Sequence, residues 1–170
     1  MPQLTLFALD RDTADHLARE PAACAVQHDL TLAPHESTTV AIAAATAEML
    51  VLHPAPMPWG GYLALEGATR RVVGTCGFKG APDTAGAVEL AYFTFPGEEG
   101  RGIASAMATA LVQLARFAEP AVVLLCAHTL PERSASCRVL EKTGFAFIGP
   151  VIDPDDGPVW RWERPVCGDA

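Results

Sequence analysis

The sequence contains no asparagine, and its only lysines are Lys79 and Lys142 against ten arginines. This bias, together with abundant alanine, is typical of a GC-rich bacterial genome. Basic residues are also scarce overall, with 12 Lys and Arg against 20 Asp and Glu and a net charge of −8. Because a protein neutralises nucleic-acid phosphates with a basic face, this balance argues against nucleic acid as the main partner.

Long apolar runs are also missing. No uncharged stretch approaches the ~20 residues that a membrane-spanning helix needs, and no basic residue precedes the short apolar stretch at the amino terminus, as a signal peptide would require. Half of the residues are hydrophobic and 19% are charged, so the chain can bury a core. We expect one cytoplasmic globular domain over residues 1–170, without a membrane partner.

Cysteine pairs with the spacing of a redox or metal motif are absent. The cysteines are odd in number and scattered, which is a poor disulfide framework: Cys24, Cys76, Cys126, Cys137 and Cys167. Cys126 and His128 share one face of a predicted strand, but no further Cys or His stands at a convincing spacing to complete a zinc site. The pattern therefore predicts buried thiols in a reducing compartment and no metal centre.

Hydrophobic periodicity predicts a mixed order of strands and helices. The predicted strands are Gln3–Leu9, Tyr62–Glu66, Arg71–Phe78, Val88–Phe95, Ala121–Ala127, Phe145–Val151 and Val159–Glu163. The predicted helices are Asp10–Arg19, Glu36–Leu52, a helix starting at Ile103, and Pro131–Lys142. Antiparallel strands thus come first and a strand–helix–strand–helix–strand alternation follows, which is typical of one α/β domain.

The segment between the fourth strand and the third predicted helix is rich in glycine and runs from Pro96 to Gly102. Glycines at 100 and 102 let a ligand approach the backbone, and the first amides of the following helix suit a pyrophosphate. Arg101 adds a positive charge and Ser105 a hydroxyl donor. A tight turn packed with glycines is the alternative. The lysine of a mononucleotide loop and the glycine spacing of a dinucleotide fingerprint are both missing, which argues against a nucleotide ligand.

Two motifs carry a resemblance to a known family. The run ELAYFTFPGEEGRGIASAMATALVQLA, followed after a buried strand by HTLPERSASCRVLEKTGF, resembles the GNAT N-acetyltransferases, and most of all the branch that contains ribosomal-protein alanine N-acetyltransferases. The resemblance covers Val72–Glu163 well and Gln3–Leu52 in layout. It implies a mixed, mostly antiparallel central sheet with helices on both faces. It also implies that two central strands, Val88–Phe95 and Ala121–His128, splay apart.

The same resemblance implies acetyl-CoA as the acyl donor. Its pyrophosphate would lie over Gly100, Arg101, Gly102, Ile103, Ala104 and Ser105. Backbone groups of the strand end, at Phe93, Thr94 and Phe95, would meet the pantetheine arm. The chain departs from the family at Glu99, where Arg or Gln is usual, and at Arg133, where Asn is usual; we expect Arg133 to contact the cofactor in its place.

Acetyl transfer to an amine needs a neutral amine, a polarised carbonyl and an acid for the leaving thiolate. Glu89 is the candidate base, because it shares a strand face with apolar residues that lead towards the cofactor; a surface carboxylate is the alternative. Ser136 is the candidate donor to the thiolate, and a capping serine is the alternative. Tyr92 is expected to pack, and His128 to be structural rather than a proton shuttle.

These observations together predict an acetyl-CoA-dependent N-acetyltransferase that acts on a primary amine, either a protein N-terminus or a small molecule. The alternative is a catalytically weak acyl-CoA-binding or sensory module, motivated by Glu99, Arg133 and the lack of a tyrosine in the last predicted helix. The segments expected to shape the acceptor pocket, Thr31–Thr39 and Ala55–Gly61, carry no recognisable motif. A monomer and a homodimer are both compatible with the sequence.

Overall fold

The structure, a computed structural model, describes residues 2–118 and 121–166. Within these ranges the strands are β1 (Leu4–Leu9), β2 (Gly61–Glu66), β3 (Arg71–Phe78), β4 (Ala87–Thr94), β5 (Leu124–Thr129), β6 (Ala146–Asp153) and β7 (Gly157–Pro165). The helices are α1 (Arg11–Arg19), α2 (Pro21–His28), α3 (Glu36–Leu52), α4 (Ile103–Phe117) and α5 (Ala135–Lys142).

The strands form a seven-stranded sheet in the order β1-β2-β3-β4-β5-β7-β6. Every neighbouring pair is antiparallel except β4 and β5, which run parallel. Their register ends after three residue pairs, from Ala87–Leu124 to Glu89–Cys126, while β4 continues beside β3 as far as Thr94. The expected mixed, mostly antiparallel sheet with two splayed central strands is confirmed.

Helices cover both faces of this sheet. On one face α4 packs against β1, β3, β4 and α5, and its buried stripe at Ile103, Met107 and Leu111 lies in the larger core cluster. On the other face α1 and α3 pack together over a second cluster that includes Leu17 and Ala43. The 3.6-residue spacing of apolar side chains accounts for the stripe on α4.

Two predicted elements begin later in the structure, and one helix was not predicted. The helix predicted from Pro131 begins at Ala135, because the Ser134 hydroxyl accepts a hydrogen bond from Cys137 N at 3.4 Å and caps the helix there. The strand predicted from Ala121 begins at Leu124. Helix α2 was not predicted, since only Cys24 of its eight residues is buried and it shows no apolar stripe.

The buried thiols agree with the prediction. Cys24, Cys76, Cys126 and Cys137 are buried and free, and Cys167 lies outside the described residues. Among the helices that the structure describes, none combines the length and the apolar character needed to cross a membrane.

Candidate active site

A cleft of about 450 Å³ opens where β4 and β5 diverge. Its walls come from the end of β4, the glycine-rich loop, the start of α4 and the start of α5. The lining residues are Tyr92, Phe93, Thr94, Glu98, Glu99, Gly100, Gly102, Ile103, Ala104, Ser105, Ala135, Ser136, Arg138, Val139 and Lys142.

The loop is held in a conformation that glycine favours. Gly100 and Gly102 have φ angles of 75° and 79°, in the left-handed region that other residues rarely adopt. Gly102 is the N-cap of α4 and offers no side-chain hydrogen bond to the helix. The first hydrogen bond of the helix is donated by Ala106 N to Gly102 O, at 3.0 Å. The amides of residues 103–105 therefore lack acceptors within the helix, and the helix dipole adds positive potential at the cleft.

Most of the predicted site residues come together in this cleft. Its lining includes Phe93, Thr94, Gly100, Gly102, Ile103, Ala104, Ser105 and Ser136. The first two arrive from the end of β4, the next five from the loop and the first turn of α4, and Ser136 from the first turn of α5.

The remaining predicted cofactor residues lie against other partners. Phe95 is fully buried in the second core cluster, with its ring centroid 5.3 Å from that of His35. The Arg101 guanidinium is ion-paired with Glu98 and Glu66, with one nitrogen 2.6 Å from Glu66. Arg133 places Nη1 2.5 Å from Glu141 Oε1, and its side chain is 71% exposed.

Glu98 lies at the centre of a buried ionic network beside the loop. This residue is only 5% exposed, and its carboxylate accepts hydrogen bonds from Arg71 and Arg101 and lies 2.9 Å from His35 Nε2. The pKa of Glu98 is lowered to about 2, chiefly by the hydrogen bonds from Arg71. Burial acts in the opposite direction, and the hydrogen bonds from His35 and Arg101 lower the pKa further. The carboxylate thereby ties the loop to β3 and to the start of α3.

Two basic residues of the cleft, Arg138 and Lys142, were not predicted from the sequence. They are four residues apart on α5 and therefore share one helix face. Placing the helix start at Ser134 would have grouped them with Ala135 and Ser136 at the cleft. Both side chains bring positive charge opposite the loop amides, which suits an anionic ligand.

Tyr92 lies at the junction of β4 and α5. Its hydroxyl donates to the backbone oxygen of Ser136 at 3.4 Å, and burial raises the pKa of Tyr92 to about 12. The phenol therefore stays protonated near neutral pH and lies beside Ser136. From the sequence this tyrosine was expected only to pack, because neither periodicity nor spacing reveals its contact with α5.

Glu89 lies in a charged environment rather than in the expected apolar one. Its Oε1 is 2.7 Å from Lys79 Nζ and 3.0 Å from His128 Nδ1, and its side chain is 20% exposed. The two basic groups come from β5 and from the residue after β3. The contact with His128 fixes one imidazole nitrogen against a carboxylate and leaves Nε2 for another partner.

A second cavity of about 240 Å³ lies beside the same strand. Thr46 and Met49 of α3 line it together with Lys79 and Ala91, and Gly61 comes from one of the segments expected to shape the acceptor pocket. Tyr92 and Phe93 line both this cavity and the main cleft. Two residues of β4 therefore separate the main cleft from a smaller pocket near Glu89.

Comparisons with known proteins agree with this architecture. The family model for the acetyltransferase (GNAT) domain matches residues 3–146. No curated protein matches the chain significantly in sequence.

Solved structures share the fold at low identity. A chimera of the spermidine N-acetyltransferase SpeG from Vibrio cholerae has a TM-score of 0.66 and 17% identity, over 96% of this chain and 95% of that one. RimL, a ribosomal-protein alpha-N-acetyltransferase in complex with coenzyme A, has a TM-score of 0.63 and 16% identity, over 98% and 96%. A putative acetyltransferase from Bordetella pertussis has a TM-score of 0.57 and 21% identity, over 95% of both chains.

Proposed function

Because the chain belongs to the GNAT acetyltransferase family, we propose that it is an acetyl-CoA-dependent N-acetyltransferase that acts on a primary amine. The observation that carries the proposal is the cleft lined by the end of β4, the glycine-rich loop, α4 and α5. It presents unpaired helix amides on one wall and two basic side chains on the other. Acetyl-CoA supplies an activated acetyl group as a thioester.

The residues of the cleft fit the chemistry of this donor. The amides of Ile103, Ala104 and Ser105 suit a pyrophosphate, since helix amino termini bind such groups. Arg138 and Lys142 suit the phosphates from the opposite wall. Beyond Glu89 the register of β4 with β5 ends, while β4 still pairs with β3 as far as Thr94, so the backbone groups on the β5 side of β4 are open to an extended amide chain.

The second cavity is the proposed entrance for the amine. It meets the main cleft at Tyr92 and Phe93, so an acceptor bound there can reach a thioester on the other side of β4. Glu89 lies on the face of β4 that includes Ala91, a residue of that cavity. The net charge of −8 attracts a cationic acceptor at long range.

Glu89 is the proposed base, acting directly or through water to remove a proton from the amine. His128, in contact with its carboxylate at 3.0 Å, orients that group and can pass the proton onwards. Ser136, or the neighbouring Tyr92 hydroxyl, is the proposed donor to the leaving thiolate. Both line the cleft, and Tyr92 stays protonated near neutral pH.

The proposal is tested in two steps. Acetyl-CoA and CoA should raise the melting temperature by several degrees, because a ligand that binds only the folded state stabilises it, whereas ATP and NAD should not. Thiol release from acetyl-CoA is then measured with spermidine and with a peptide that has an N-terminal alanine. Amine-dependent thiol release supports the proposal, and a lack of stabilisation by either CoA species refutes it.

One observation favours a second candidate function. The Glu89 carboxylate is ion-paired with Lys79 at 2.7 Å, and this contact competes with the removal of a proton from an amine. A CoA-binding module with weak chemistry would show the same stabilisation by acetyl-CoA. It would release no thiol above the rate of hydrolysis with any amine, and this second step separates the two candidates.

A further inference from the structure

Three metal-ligating side chains meet at the corner between α1 and α2, away from the cleft. They are His16 in the last turn of α1, and Cys24 and His28 of α2. One ligand atom of each, an imidazole nitrogen or the sulfur, lies within 4.8 Å of the other two. We propose that this cluster binds a zinc ion through the two imidazoles and the thiolate, with water as the fourth ligand.

Local sequence explains how the three residues converge. Cys24 and His28 are four residues apart and therefore face the same side of α2. A single residue, Glu20, separates α1 from α2, and its amide donates to His16 O at 2.8 Å. This tight corner places the last turn of α1 beside the first turn of α2.

The surroundings leave the three ligand atoms available. Within residues 2–118 and 121–166, the imidazoles of His16 and His28 and the sulfur of Cys24 make no hydrogen bond to another group. Cys24 is fully buried in the second core cluster, and both histidines are half-buried above it. The His28 ring packs edge-on against Phe7, with centroids 5.2 Å apart, which restricts its orientation.

The donor set selects the class of metal. One sulfur and two imidazole nitrogens suit zinc and related transition ions, whereas magnesium and calcium require oxygen ligands. A tetrahedral zinc ion with bonds of about 2.0–2.3 Å separates its ligand atoms by roughly 3.5 Å. The three ligand atoms lie within 4.8 Å of one another, so small side-chain adjustments bring them to this separation. The Asp10 carboxylate interacts electrostatically with His28 and adds negative potential nearby.

Binding has a defined proton balance. Burial raises the pKa of the Cys24 thiol, so this group is protonated near neutral pH before the metal arrives. Zinc replaces the thiol proton with a zinc–sulfur bond, and one proton leaves to solvent from Cys24 for each ion bound. The ion then joins α1 to α2 and stabilises the folded state.

Cobalt(II) is the probe, because its complexes with thiolates absorb light. Titration of the full chain should saturate at one ion per chain, with a thiolate-to-cobalt charge-transfer band and the intense visible bands of a tetrahedral ion. Cys24→Ser should abolish the charge-transfer band, while Cys126→Ser, which changes another buried thiol, should retain it. Absence of the band in the wild type, or its persistence in Cys24→Ser, overturns the proposal.

Zinc affinity gives a second measurement that does not depend on the folding of Cys24→Ser. Calorimetric titration should show His16→Gln and His28→Gln binding zinc more than about tenfold more weakly than wild type. His53→Gln, which changes an exposed histidine at the end of α3, should bind as the wild type does. Equal affinities among these three variants overturn the site, whatever the outcome with cobalt.

Discussion

Glu98→Gln removes the charge at the centre of the network beside the glycine-rich loop while keeping the shape of the side chain. The pKa of Glu98 is lowered from 4.5 to about 2, chiefly by hydrogen bonds from Arg71. One pKa unit corresponds to about 1.36 kcal/mol, so a pKa lowered by roughly 2.5 units contributes about 3 kcal/mol to the free energy of unfolding at neutral pH. Because the residue is 5% exposed, solvent screens little of this contribution.

The pH window follows from the sign of the change. A carboxyl whose pKa is lower in the folded state stabilises the fold above its unfolded pKa, and this contribution is lost as the pH falls through the folded value. For Glu98 the contribution is nearly complete above about pH 5, falls to roughly two fifths at pH 3 and is absent below about pH 1. The difference in unfolding free energy between wild type and Glu98→Gln should therefore shrink as the pH falls.

Urea unfolding at pH 7, 5, 4 and 3 measures this difference. Glu99→Gln is the matched control, since Glu99 is exposed and its carboxylate accepts a bond from Gly97 N at 2.7 Å. It should change stability by less than about 0.5 kcal/mol and leave the pH dependence of the wild type in place. A Glu98→Gln cost below about 1 kcal/mol at pH 7, or an equal cost at pH 7 and pH 3, would refute the reasoning.

The remaining predictions concern the proposed acetyltransferase site. Gly102→Val should weaken acetyl-CoA binding in calorimetry, because its φ of 79° and the approach of phosphates both require glycine. Gly157→Val, with a φ of 73° in the turn between β6 and β7, should not, and equal affinities of the two folded variants would remove the loop from the binding site. Arg133→Ala should weaken CoA binding if the Arg133 side chain leaves Glu141 for the cofactor. Arg138→Ala, which removes a cation from the cleft wall, should weaken CoA binding by about tenfold. An unchanged affinity for either variant would show that its arginine faces solvent. Glu89→Gln should lower kcat by roughly 10²–10⁴ with an unchanged affinity for acetyl-CoA, and it should flatten the acidic limb of kcat against pH; an intact limb would exclude Glu89 as the base.

Local sequence alone determined much of the fold. Abundant alanine predicted α3 from Glu36 to Leu52 with both ends as observed, because a run of prolines after Leu52 stops the helix. The loop from Pro96 to Gly102 was likewise predictable, since glycine selects the left-handed backbone and a helix start always leaves amides unpaired. Features that depend on a few neighbouring residues can be derived from those residues.

Only the tertiary structure decided which side chains face which partners. Glu98 meets His35, 63 positions away, and Arg71, 27 positions away, because β3, the start of α3 and the loop converge at one point of the sheet. Glu89 lies between Lys79 and His128 for a similar reason, although its own strand reads as apolar. No periodicity encodes such contacts: each ionic partner is supplied by a different element, and only the packing of the sheet sets the distances between them.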